Sequence, residues 1–189
     1  MFIGHYAVAF AARKAVPAVS LGTLFLAVQL ADLVWPVLVL AGVERFEIRP
    51  GITALTPLDF VHYPYSHSLA ALAAWGAALG VGYMVARKAG VRTALLLAAL
   101  VLSHWVLDFV THRPDMPLTL GDSPKIGLGL WNSIAGTVAV EGALFAACAV
   151  ANFMGPPPPS VNAVAWSANA LWLVVAWGYW IDRHRRMAP

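Results

Sequence analysis

The sequence predicts an all-α, polytopic integral membrane protein: a helical bundle of about five spanning helices plus a short N-terminal helix. Three observations carry this. Of the 189 residues, 60% are hydrophobic and 11% charged, against roughly 45–50% and about 25% in soluble domains; the mean hydropathy is +0.73. The apolar residues gather into runs of about 20, the length a helix needs to cross a bilayer. The charged residues and prolines cluster between those runs. A chain of this length makes one transmembrane domain, 1–189, with the lipid bilayer as its surroundings and no room for a soluble domain.

Residues 2–12 come before Arg13, Lys14 and Pro17 and are too few to span, so they read as a half-helix or an interfacial helix. His5, Arg13 and Lys14 interrupt any signal-peptide pattern, and the segment is expected to stay in the mature protein. The first strong span is 20–42. A long polar connection over 43–64 follows, carrying Glu44, Arg45, Glu47, Arg49, Asp59 and His62. Spans 68–86 and 93–111 form a helical hairpin around Arg87 and Lys88, and the second ends at His112, Arg113 and Pro114. A fourth apolar segment runs over 128–154, a rigid proline run over 156–159, and a last span over 161–181.

The net charge is +3 and the pI about 9.3. The basic residues sit at helix ends, where they set topology, so no nucleic-acid partner is read from them. Five crossings would place Arg87 and Lys88 on one face and the basic C-terminus on the other. The face with Arg87 and Lys88 is taken as cytoplasmic, with a re-entrant or miscounted segment accounting for the conflict. The single cysteine, Cys148, lies in an apolar run and reads as a small core residue.

Ionisable groups inside apolar segments cost roughly 2.5–3.5 kcal/mol each on insertion, which makes every one a functional candidate. Here they are His5, Asp32, His67, His104, Asp108 and Glu141. The sharpest signal is Ser103-His104-Trp105-Val106-Leu107-Asp108. Positions i and i+4 share a helix face about 6 Å apart, close enough for an imidazole and a carboxylate to hold one ion. Four residues further on, His112 extends the stripe toward the membrane surface. A His–Asp hydrogen bond joining two helices is the alternative.

In His62-Tyr63-Pro64-Tyr65-Ser66-His67-Ser68, the proline and aromatics set the entry into a helix that Ser66 or Ser68 could cap. His67 is the better ligand candidate; His62 also suits a solvated loop. Asp32 and Glu141 are carboxylates within spans and need a cation or a donor, and a neighbouring histidine or backbone amide would also serve. Asn132 and Ser133 read as helix-start groups, and the tryptophans as interface belts and packing.

Several histidines with two or three carboxylates and no thiolate set match ligation of zinc or a similar divalent ion. Such an ion would polarise a phosphoryl or acyl oxygen, with Glu141 or Asp59 as the catalytic proton acceptor. Metal-assisted hydrolysis is the chemistry expected.

Taken together, Gly4-His5, Asp32, His62-x4-His67-Ser68 and Ser103-His104-x3-Asp108-x2-Thr111 resemble the family of bacterial inner-membrane metal-dependent hydrolases over about the first 110 residues. That family has been likened to zinc-dependent phospholipase C. The resemblance implies a multi-pass protein of the bacterial inner membrane acting on a lipid-like substrate, with His5, Asp32, His67, His104 and Asp108 as metal ligands. His62 and His112 stand as additional candidates. The chain departs from the pattern where Trp35 and Pro36 follow Asp32, and where Thr137 stands four residues before Glu141. Two other functions fit the same residues: a divalent-metal or proton-coupled transporter, and a structural protein whose His–Asp pairs only join helices.

Overall fold

The computed structural model describes residues 1–153 and is mostly helical with little strand. Helices α1 (Gly4–Ala12), α2 (Leu21–Val28) and α3 (Leu30–Leu40) are followed by strands β1 (Arg45–Ile48) and β2 (Leu58–His62). A one-turn helix α4 (Pro64–His67) leads into the long helices α5 (Leu69–Arg87) and α6 (Val91–Thr111). Strands β3 (Met116–Pro117) and β4 (Lys125–Ile126) and a 3-10 turn (Leu130–Asn132) precede α7 (Ile134–Phe153).

Among the described residues, three helices are long and apolar enough to cross a membrane: Leu69–Arg87, Val91–Thr111 and Ile134–Ala151. Counting α2 and α3 as one bent span makes four. The fifth span, expected over 161–181, lies outside the described residues. Their outward surfaces are apolar, with Val81, Val85, Leu95, Val106, Val138 and Val150 exposed, as suits a helix whose neighbour is hydrocarbon.

The expected span over 20–42 is not one helix. It breaks at Gln29, whose φ of −105° and ψ of 7° leave the helical region, and α2 and α3 meet at 53°. The break turns the Val28 carbonyl toward α6. Ser20 caps α2 by accepting from the Thr23 amide at 3.2 Å. With nine residues and about 13 Å of length, α1 is too short to cross. It packs against α2, α6 and α7.

The helical hairpin is formed by α5 and α6. Ser68 caps α5 through the Ala71 amide at 3.0 Å. At the far end Lys88 takes a left-handed conformation, φ 51°, to close the turn. Gly76 and Gly80 lie against the backbone of Ala98 and Ala94, and a Cβ at Gly76 would come within 2.9 Å of the Ala98 carbonyl oxygen. Small residues here let the two helices close up.

The polar connection over 43–64 is structured as an antiparallel β1–β2 hairpin, with Glu47 opposite Asp59 and Ile48 opposite Leu58. A second ribbon pairs Met116 with Ile126. The fourth span begins later than expected, at Ile134, because Gly129 (φ 74°) and the 3-10 turn fold residues 128–133 back so that Trp131 is buried. Both ribbons, the 3-10 turn, the start of α5 and the end of α6 lie at one end of the hairpin. Buried polar residues there include His67, Asp108, His112 and Asp115.

Candidate metal centre

Four separate stretches converge at that end. His5 comes from the first turn of α1, Asp32 from the first turn of α3, His67 from α4, and His104 and Asp108 from successive turns of α6. His5 Nε2 is 3.2 Å from Asp108 Oδ1; His104 Nε2 is 3.1 Å and His67 Nε2 3.9 Å from Asp108 Oδ2. Asp32 Oδ1 lies 3.5 Å from His67 Nε2 and 3.7 Å from His104 Nε2. The Met1 amine also donates to Asp108 Oδ1. His5, His67, His104 and Asp108 are buried, while the Asp32 side chain is 17% exposed.

Two overlapping sets, His5–His104–Asp108 and Asp32–His67–His104, have their ligand atoms within 4.8 Å of one another. In a tetrahedral zinc site, donors about 2.1 Å from the ion sit roughly 3.4 Å apart, so a small contraction would close either set. One Nε2 binds one ion, so the shared His104 makes the sets alternatives through that atom.

The hydrogen bonds behind the rings are informative. His104 Nδ1 is 2.7 Å from the Val28 carbonyl oxygen, and a carbonyl only accepts, so Nδ1 carries the proton. That leaves Nε2, which is buried and forms no hydrogen bond among the described residues, facing a carboxylate oxygen. A lone pair against a carboxylate requires a proton or a cation between them. The donor set of imidazoles and carboxylates could hold a metal ion. A carbonyl or carboxylate behind the distal nitrogen is the usual way a ligating histidine is oriented.

His112 extends the pattern from the end of α6. Its Nδ1 donates to Asp115 Oδ1 at 3.0 Å, and its Nε2 lies 3.8 Å from Asp108 Oδ2. Trp131 packs on its ring with centroids 4.2 Å apart. Burial lowers the His112 pKa more than Asp115 and Asp108 raise it. Burial, and then His104, pushes His5 from 6.5 down to about 3. Both rings are therefore neutral near pH 7 and keep a lone pair to offer. Tyr63 donates to Asp115 at 3.2 Å, and burial followed by the Asp115 charge raises its pKa well above 10.0.

No protein-family model matches the chain, and neither a curated protein nor a solved structure does.

The other candidates from the sequence are not in the two ligand sets. His62, at the end of β2, is exposed and meets Tyr65 edge-on. Asp59 is held by Arg113 and by Arg49, the latter at 3.1 Å. Glu141 Oε2 accepts the amides of Phe2 at 2.8 Å and Gly4 at 3.2 Å, which anchors the start of α1 on α7. Two contributors went unread in the sequence. Asp115, three residues after His112, carried a spacing signal; the Val28 carbonyl, reached by a fold contact 76 residues away, carried none.

Proposed function

We propose that this chain is a membrane-embedded, divalent-metal-dependent hydrolase, zinc-like in its ligands, that cleaves a phosphoester or other ester of a lipid-like substrate. The observation that carries this reading is the convergence of His5, Asp32, His67, His104 and Asp108, with imidazole Nε2 atoms close to carboxylate oxygens in a largely buried cluster. An ion held by these residues would polarise the ester oxygen and acidify a water beside it. The protein's part is to hold the rings oriented, to exclude bulk water around His104 and Asp108, and to offer Asp32, the more exposed carboxylate of the set, as the group closest to an entering substrate.

A position near one end of helices apolar enough to cross a membrane supports a lipid-like substrate. The centre lies at the end of the α5–α6 hairpin opposite Arg87, Lys88 and Arg92. With that basic end cytoplasmic, the centre would lie nearer the opposite face, within reach of a lipid substrate. The motif resemblance described above makes the bacterial inner membrane the expected location.

The test is elemental analysis of the detergent-purified protein beside a His104→Ala, Asp108→Ala double variant, followed by assays on phospholipid and phosphoester substrates. Stoichiometric metal lost in the variant, with hydrolysis that depends on it, is the expected result. No metal in either protein after reconstitution sinks the proposal. Metal with ion flux in proteoliposomes and no hydrolysis would instead establish transport.

A further inference from the structure

Behind His67 lies a buried chain of polar groups that the ligand set does not include. Glu44, in the turn between α3 and β1, is 1% exposed and Ser66 is fully buried. One oxygen of Glu44, Oε1, accepts the amides of Tyr65 at 2.8 Å and Ser66 at 2.9 Å. Its other oxygen, Oε2, accepts the Ser66 hydroxyl at 2.6 Å. Ser66 Oγ in turn lies 2.7 Å from His67 Nδ1.

We propose that Glu44 is a positioning residue for His67, acting through the Ser66 hydroxyl to set which ring nitrogen carries the proton. The inference rests on the metal-centre reading and deepens it. A carboxylate can only accept, so the single Ser66 proton points to Glu44. The Ser66 oxygen is then left as an acceptor, and the proton in the Ser66–His67 bond comes from Nδ1. The Nε2 lone pair is thereby presented to the space beside Asp32 and Asp108. A ring with the opposite tautomer would carry a proton on Nε2 and could not ligate. Glu44 thus does for His67 what the Val28 carbonyl does for His104 and Asp115 for His112.

Glu44→Gln separates direction from shape. Its amide oxygen can keep the Tyr65 and Ser66 amides while its NH2 donates to Ser66 Oγ. The hydroxyl proton then turns to His67 Nδ1 and moves the ring proton to Nε2. Ser66→Ala removes the relay by a single atom and keeps Glu44 on the backbone amides.

The experiment uses the full chain in detergent with 15N-labelled histidine. Tautomers are read by long-range 1H–15N correlation in metal-free protein, and zinc affinity by competition with a chelating dye. The expected result is His67 as the Nδ1–H tautomer in the parent and Nε2–H in Glu44→Gln, with zinc affinity about 10–100-fold weaker in both variants. An unchanged His67 tautomer in Glu44→Gln, or parent-like zinc affinity in both variants, overturns the proposal. Should the parent bind no zinc while the tautomer still switches, the relay stands and the metal-centre reading fails. If Glu44→Gln does not fold, Ser66→Ala alone decides on affinity.

Discussion

His5 and His104 stack face to face, with ring centroids 3.8 Å apart and planes 1° from parallel. Two positive rings could not lie so close in a buried pocket. At least one must be neutral, and His5, with its pKa lowered from 6.5 to about 3, is that ring. Between those values the unfolded chain binds a proton that the folded chain does not, so stability is full above about pH 6.5 and falls as the pH drops toward 3. The unfolding midpoint of the metal-free protein, followed by circular dichroism in detergent, should fall from pH 7 to pH 5. His5→Asn should flatten that slope.

Removing either carboxylate of the cluster should weaken metal binding more than removing a peripheral one. Asp108 meets four histidines and Asp32 meets two. Asp108→Asn should reduce zinc affinity more than Asp32→Asn, and Asp59→Asn should leave it within about threefold, all read by dye competition. Equal affinity in Asp108→Asn and the parent would remove Asp108 from the centre.

Asp115 tests whether His112 ligates. Asp115→Asn keeps the shape but can offer an amide donor to His112 Nδ1, which frees the ring to protonate Nε2. If His112 binds the ion, affinity should fall about 10–100-fold, the usual cost of losing a histidine's orienting partner. Parent-like affinity would restrict the ligands to the five predicted residues.

Glu141 was expected to act as a proton acceptor, and its hydrogen bonds point to a different test. Because it holds the Phe2 and Gly4 amides, Glu141→Ala should lower stability by about 1–3 kcal/mol through orphaned amides. Glu141→Gln, which can keep both bonds, should leave turnover within about threefold. A loss of turnover near a hundredfold in Glu141→Gln at unchanged stability would restore the catalytic role.

Gly80→Val should force α5 and α6 apart, because a Cβ there would collide with the Ala94 carbonyl. Overpacking of this kind costs about 1–3 kcal/mol. The cost should appear as a lower thermal midpoint, whereas Gly82→Ala, where a Cβ meets open space in a helix interior, should not lower it.

The long helices were legible because hydropathy averages over some 20 residues, and α5 and α6 begin and end within two residues of polar or breaking signals such as Ser68, Lys88 and Gly90. His104 and Asp108 were legible as a pair because helical geometry alone brings them to one face. The break at Gln29 was not, since its neighbours are as apolar as any helix interior and the bend answers to a contact with α6. Glu44 read as one charge in a polar connection, because only the folded turn brings it to the Tyr65 and Ser66 amides. Nor does pattern reveal a carboxylate's partners: Asp59 is paired with Arg49 and Arg113, whereas Glu141 accepts two amides through Oε2 and keeps Oε1 without a partner among the described residues.

His5 and Asp108 are 103 residues apart in the chain. At a synthesis rate of about 5–20 residues per second, roughly 5–20 s separate the emergence of the first from that of the second. During that interval His5 and Asp32 have been made and their partners on α6 have not. The nascent chain must therefore keep its early polar groups hydrated or shielded until α6 inserts. Assembly of the centre is a late event in biogenesis, and a chain halted before Asp108 would be left with unmatched polar groups and exposed to quality control.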